Sequence, residues 1–281
     1  MDIDRIPSEV RSRMTELLSD PLFEVIPMSN VTEQVTHLAP GSRVSVTASP
    51  VKTLEDSLDL CAELVDRGFR VTPHLSARMT RDMAHLELLL ARIATMGITS
   101  AFVVGGDAEF TGSFYDGLSL LEAMEKIGHD LDLGVPAYPE GHPDIDDSTL
   151  ATALAAKQPH AAHLTTQMCF DGAVVSRWLR TARADGIRLP VVLGLPGAAD
   201  RMHLLRISTR IGVGGSLSFL RKNTGMISAF VRPGGYDPGT LLEDLGEYLL
   251  DIDAGIVGLH IYTFNQCDKT EGWRQQVLAA L

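Results

Sequence analysis

The chain has 281 residues, enough for one domain that buries roughly three quarters of its unfolded surface without a disulfide or metal staple. Its 24 basic and 36 acidic residues leave a net charge of −12, which disfavours non-specific binding to nucleic acid or anionic lipid. The odd set Cys61, Cys169 and Cys267 lacks CxxC spacing, no signal-peptide core follows Asp2, Asp4 and Arg5, and no apolar run approaches the ~20 residues of a membrane span, so a cytoplasmic protein is expected.

In chain order, residues 5–19 predict a short N-terminal amphipathic helix with Pro7 in its first turn. Eight apolar runs follow: Leu22–Pro27, Arg43–Ala48, Arg70–Ser76, Ala101–Gly106, Leu133–Tyr138, Ala161–Met168, Val191–Gly197 and Gly258–Phe264. Helical stretches lie between them. One starts at the capping residue Thr53, with Leu54, Leu58, Cys61 and Val65 on one face and Gly68 at its end. A second is capped at Thr80, with Met83, Leu86, Leu90 and Ile93 as its apolar face and Gly97 as its stop. Others fit Phe114–Lys126, Ser148–Lys157, Ala173–Ala184 and Thr240–Ala254. The alternation reads as a single α/β domain over residues 1–281, a (β/α)8 TIM barrel with a parallel sheet. Between strands 7 and 8 the segment Ile207–Pro238 is longer than one connection requires. Its Gly212–Ser216 turn reads equally as a phosphate-binding turn or a plain helix-to-helix turn.

Active sites of such barrels lie at the C-terminal ends of the strands, where this chain concentrates its polar groups. Glu24 sits within Leu-Phe-Glu-Val-Ile-Pro, where desolvation would raise its pKa and suit it to general acid catalysis; the competing reading is an ion pair inside the barrel. Asp107 ends strand four behind Gly105 and Gly106, either as a rim carboxylate or as a helix cap. Tyr138-Pro-Glu-Gly-His142-Pro-Asp144 is a fixed loop carrying several polar groups, and without a second His at ligand spacing no metal is expected there. His74 contacts either ligand or a backbone carbonyl, and the amide of Gln167 could read a heterocycle through paired bonds.

In order, Phe23-Glu24, Val44-Ser-Val-Thr47, Pro73-His74-Leu75, Gly106-Asp107, Ala137–Asp144, Thr166-Gln167, Pro196-Gly197 and Tyr262-Thr-Phe-Asn265 resemble the methylenetetrahydrofolate reductase family. The resemblance implies reduction of 5,10-methylenetetrahydrofolate to 5-methyltetrahydrofolate, a step feeding methionine synthesis. It implies Glu24 as the general acid that opens the imidazolidine ring, and Asp107 as the carboxylate that stabilises the iminium. Gln167, Thr47, Phe264 and Gln266 would lie around the folate. His74, Gly105, Gly106, Tyr138, His142 and Lys157 would lie around the cofactor.

The resemblance is weakest on the flavin side. Gly105 stands where the family has Arg, Gln266 replaces another Arg, and along the helix after the His-Pro loop Leu150, Ala153 and Ala156 leave Lys157 alone; Asp146 or Asp147 could substitute for the missing acid. FAD is then bound weakly or not at all, and hydride passes directly from NADH or NADPH. The alternatives are an FAD-dependent reductase with rearranged contacts, another carrier such as a deazaflavin, a non-redox folate-dependent transferase, or a folate-binding barrel. Arg221, Lys222 or Lys269 are candidates for the folate's polyglutamate tail.

Overall fold

The structure is a computed structural model that describes residues 3–109, 112–142, 144–198 and 237–281. Eight parallel strands close in sequence order: β1 Leu22–Val25, β2 Arg43–Val46, β3 Arg70–Ser76, β4 Ser100–Val104, β5 Asp132–Ala137, β6 His163–Thr166, β7 Val191–Pro196 and β8 Ile256–Tyr262. The ring is completed by β8 against β1, with Leu22 opposite His260 and Glu24 opposite Tyr262. β1, β2, β4 and β7 are a residue or two shorter than their apolar runs and β6 is shorter still, while β3, β5 and β8 match theirs in length. The chain leaves the sheet where it must turn polar groups toward the mouth.

The helices among the described residues are α1 Ser8–Ser19, α2 Val31–Gln34, α3 Leu54–Asp66, α4 Met83–Thr95, α5 Gly117–Ile127, α6 Asp147–Lys157, α7 Gly172–Ala184, α8 Gly239–Leu245 and α9 Cys267–Ala280. Local capping explains several starts. Thr53 and Asp56 form a reciprocal capping box on α3, and Asp116 and Ser119 form one on α5. Asp146 caps α6 and Asp171 caps α7.

Several expectations are corrected. The cap of α4 is Asp82, which accepts from the His85 N–H, while the Thr80 hydroxyl donates to the Ser76 carbonyl. Met83 is exposed and His85 buried on that helix, because His85 accepts from the Arg81 N–H at Nδ1 and donates from Nε2 to Glu55 of α3 instead of facing water. The helix expected over Thr240–Ala254 ends at Leu245, where Gly246 adopts φ 48°, and a 3-10 helix follows over Gly246–Leu250. The last helix, α9, was not expected from the apolar pattern. It is held by a buried Glu271–Arg274 pair, and Arg274 also donates to the Leu18 carbonyl at the end of α1. The Ile207–Pro238 segment, including Gly212–Ser216, Arg221 and Lys222, falls outside the described residues apart from Asp237 and Pro238.

Two-residue alternation divides the strands. Val44, Val46, Val71, Val103, Val135, Leu164, Leu193, Leu259 and Ile261 face the helices and form the main apolar core. The alternate positions face the barrel axis, and they are unusually polar: Glu24, Ser45, Thr72, His74, Thr165 and His260 are buried or nearly so. This division places a titratable cluster directly beneath the mouth.

Candidate active site

Glu24 is the centre of that cluster. Its side chain is only 13% exposed, and its Oε2 lies 3.0 Å from His260 Nε2 on β8 and 3.7 Å from His74 Nε2 on β3. A carboxyl surrounded by apolar residues alone was one expectation. The structure instead gives it two imidazoles, nearer to the competing reading of a partnered carboxylate. Burial drives the His74 pKa down to about 4, the nearby Glu24 carboxylate opposing and His260 reinforcing the shift. His74 is therefore neutral at ordinary pH. Its ring packs on Phe102 with centroids 4.8 Å apart. His260 packs in turn against Tyr262 at 4.7 Å.

The β1–β8 seam that carries Glu24 is pinned from outside the ladder. The Asn265 side-chain oxygen accepts from the Ile26 N–H at 2.8 Å, and its amide donates to the Ile26 carbonyl at 2.8 Å. Thr263 donates its hydroxyl to the Glu24 carbonyl at 2.6 Å. Phe264 and Asn265 both take positive φ, 52° and 54°, a conformation costly for residues with side chains. The strained pair turns the chain sharply after β8 and brings Phe264, half-buried, to the same end of the barrel as Glu24. Gln266 is buried in the turn into α9, its N–H bonded to the Thr263 carbonyl.

The opposite side of the mouth is built by β4 to β6. Gly106 has φ 88°, and a Cβ there would stand 2.0 Å from Ser76 Oγ, so a side chain is excluded on two grounds. The Gly105 carbonyl accepts from the Arg78 N–H. Asp107 follows, exposed at the rim, close enough for its charge to act on Tyr138. Burial, reinforced by that charge, pushes the Tyr138 hydroxyl up to about 12, so it stays protonated and able to donate. Tyr262 is raised well above 10, by burial and then by Glu24, with Tyr138 adding to it. A chain of electrostatic contact thus runs Glu24, Tyr262, Tyr138, Asp107 across the mouth.

Tyr262 donates its hydroxyl to the Thr166 carbonyl at 3.0 Å, beside Gln167. The Gln167 Oε1 is buried without a hydrogen-bond partner, an acceptor that a ligand donor would satisfy. Thr47, half-buried, ends β2 with its N–H on the Val25 carbonyl. In the Tyr138–Asp144 loop the residues divide. His142 meets Tyr138 edge-on at 5.3 Å, and its Nδ1 accepts from the Asp144 N–H. Glu140 turns away, and its Oε1 accepts from the Phe170 and Asp171 N–H groups at 2.7 and 2.9 Å. It is a clip between two loops, not a ligand group.

Lys157 stands apart from the Glu24 cluster. Its stem packs over Gly117 at the start of α5, and Gly117 in turn borders Gly105. There it lines a groove of about 360 Å³ with Asp116, Ser148, Thr149 and Thr152. Burial lowers its pKa, and Asp116 partly offsets that. Asp146 accepts from Ser148 and Thr149 as a cap and is committed to that role. Among the described residues, no group of three His, Cys, Asp or Glu could hold a metal ion. All three cysteines are free and buried. No described helix is long and apolar enough to cross a membrane.

Sequence reading passed over His260 and His163. Both were visible by period two: Gly258, His260 and Tyr262 alternate with Leu259 and Ile261, so a histidine there had to face the axis.

Comparison with known proteins places these features in context. A solved protein from Clostridium thermocellum that binds two copies of 5-methyl-5,6,7,8-tetrahydrofolic acid superposes with a TM-score of 0.65 at 10% identity, covering 98% of this chain and 100% of that one. That likeness is one of fold. A 2,3-dimethylmalate lyase of the PEP mutase/isocitrate lyase superfamily aligns at 8% identity with a TM-score of 0.48, over 96% of this chain and 82% of that one. The methylenetetrahydrofolate reductase model matches residues 15–210, well over half of the sequence. That stretch contains Glu24, His74, Asp107, Tyr138 and Gln167, and on this match the chain is a member of the methylenetetrahydrofolate reductase family.

Proposed function

We propose that this chain reduces 5,10-methylenetetrahydrofolate to 5-methyltetrahydrofolate, taking hydride directly from a reduced nicotinamide without a bound flavin. The observation that carries the reading is Glu24, buried beneath the mouth, bonded to His260, and facing Asp107 across two protonated tyrosines. Binding of 5-methyl-5,6,7,8-tetrahydrofolic acid by the Clostridium thermocellum protein supports a folate as the ligand.

In the proposed reaction Glu24 gives its proton to N10 of the substrate, the C–N10 bond breaks, and a positively charged iminium forms at N5. The Asp107 carboxylate at the rim stabilises that charge, and hydride from the nicotinamide then adds to the methylene carbon. Gln167 Oε1 accepts from the pterin's N–H edge, and Tyr138 holds a donor toward the same space. One proton and one hydride are consumed per turnover, so the charges balance.

The residues present fit a flavin dinucleotide poorly. Among the described residues, the groove beside Gly105 is lined by one cation, Lys157, against Asp116, with Asp146 and Asp147 close by on the start of α6. A pyrophosphate needs charge-assisted donors there, each contributing on the order of 1.5–3 kcal/mol, and two lost guanidinium groups at that scale weaken binding by roughly a hundredfold or more. No step is therefore routed through flavin. NADH and NADPH serve the proposal equally.

The test of the acid is Glu24→Gln. It should lower turnover about 100- to 10,000-fold while sparing folate binding. Turnover within a few-fold of the parent would rule Glu24 out as the acid. Steady-state lines should intersect when both substrates are varied, because direct transfer needs both bound together; parallel lines would indicate a flavin intermediate.

A further inference from the structure

The barrel axis below Glu24 contains more polar atoms than its hydrogen bonds account for. Ser45 Oγ, Thr165 Oγ1, His74 Nε2 and His260 Nδ1 are all buried without a hydrogen-bond partner among protein atoms. Each residue lies on an axis-facing position: Ser45 pairs with Glu24, Thr165 with Val192, and His260 with Gly194. Buried polar groups left dry are costly, so four such atoms around one axis call for ordered water.

There is also space for it. Gly258 faces the axis two residues below His260, and a Cβ built there would meet nothing within 4 Å. Gly258 is itself partly exposed and lies toward the N-terminal end of the strands. The floor is His163, whose ring lies against Gly134 so closely that a Cβ there would stand 2.6 Å from Nε2. The groups facing His163 are Arg43 on β2, His260 on β8 and Asp132 on β5, with Thr72 and Ser100 hydrogen-bonded at 2.7 Å on β3 and β4. Burial and then Arg43 bring His163 down to about 4, leaving it neutral, with ring nitrogens that can hydrogen-bond to water.

We propose that this column of water, floored by His163 and Gly258 and walled by Thr165, Ser45 and His260, carries protons from the N-terminal end of the barrel to Glu24. The inference rests on the reductase reading above. With folate and nicotinamide filling the mouth, water is excluded from that side, and the carboxylate left by each turnover needs another supply. The water beside Ser45 gives a proton to the Glu24 carboxylate and is reprotonated by the water below. The chain of transfers ends in the solvent at the floor, so one proton enters for each proton given to N10.

Gly258→Val tests the route, because its side chain enters open space far from the mouth and fills the column. A crystal structure of the parent should show ordered water between Ser45, Thr165 and His260, and the variant should lack it. The variant should keep its melting temperature and both KM values while kcat falls about tenfold or more, a fraction of the general-acid contribution. Thr165→Val should act in the same direction. A dry axis in the parent overturns the proposal, as does full kcat in a folded variant whose column is plugged. A parent chain that never oxidises NADH in a folate-dependent way would instead overturn the reductase reading, and this route with it.

Discussion

At the residue scale the account turns on what two imidazoles do for one carboxyl. His260 fixes the orientation of Glu24, and His74 lies 3.7 Å from the same oxygen without carrying charge. That neutrality has a consequence for stability. Unfolded histidine binds its proton near 6.5, whereas folded His74 does so only near 4, so the unfolded chain holds more protons between those values. The stability from this group is complete above about pH 6.5 and is lost as pH falls through 4, an effect on the order of 3 kcal/mol. His74→Phe should therefore flatten the acid limb of denaturation midpoints measured across that range. An acid limb as steep as the parent's would show that His74 is not buried neutral. The sequence placed Glu24 in a strand and allowed it an ion pair inside the barrel, but it did not identify His74 and His260 as the partners, since contact across β1, β3 and β8 depends on register. For Asp107 the sequence left a rim carboxylate and a helix cap open, and the structure leaves it exposed at the rim.

At the element scale, the turns at the strand ends decide the geometry. Gly106 combines a left-handed backbone with a 2.0 Å approach to Ser76 Oγ, and Gly106→Ala should cost at least about 2 kcal/mol in urea denaturation. An unchanged midpoint would contradict the packing described. Asn265 works from the other side of the mouth, clasping both polar groups of Ile26. Asn265→Ala leaves a buried donor and acceptor unpaired and should cost about 3 kcal/mol, with turnover falling as β1 loosens. Retained stability and turnover would show the clasp to be dispensable. Most helices were legible from caps and spacing, as at Thr53 and Gly68. Two errors share a cause: Met83 and His85 exchanged places on α4, and α9 went unread, because buried ion pairs and histidine bonds occupy positions that an apolar count reads as surface.

At the scale of the whole molecule, the eight-unit rhythm was fully legible, because parallel strands covered by helices write continuous apolar runs. The polar axis was not. Alternation predicts which residues face inward but not that so many of them are hydroxyls and imidazoles. In the proposed proton route, those inward residues do more than pack, by linking the floor of the barrel to Glu24. The central claim is direct hydride transfer in a protein that holds no flavin. It is tested most directly by purifying the chain without added cofactor, recording its visible absorbance, and then following NADH consumption on addition of 5,10-methylenetetrahydrofolate. The expected result is a spectrum without flavin bands and folate-dependent NADH loss with 5-methyltetrahydrofolate as product. Stoichiometric flavin absorbance bleached by NADH, or turnover that appears only after FAD is supplied, would contradict it.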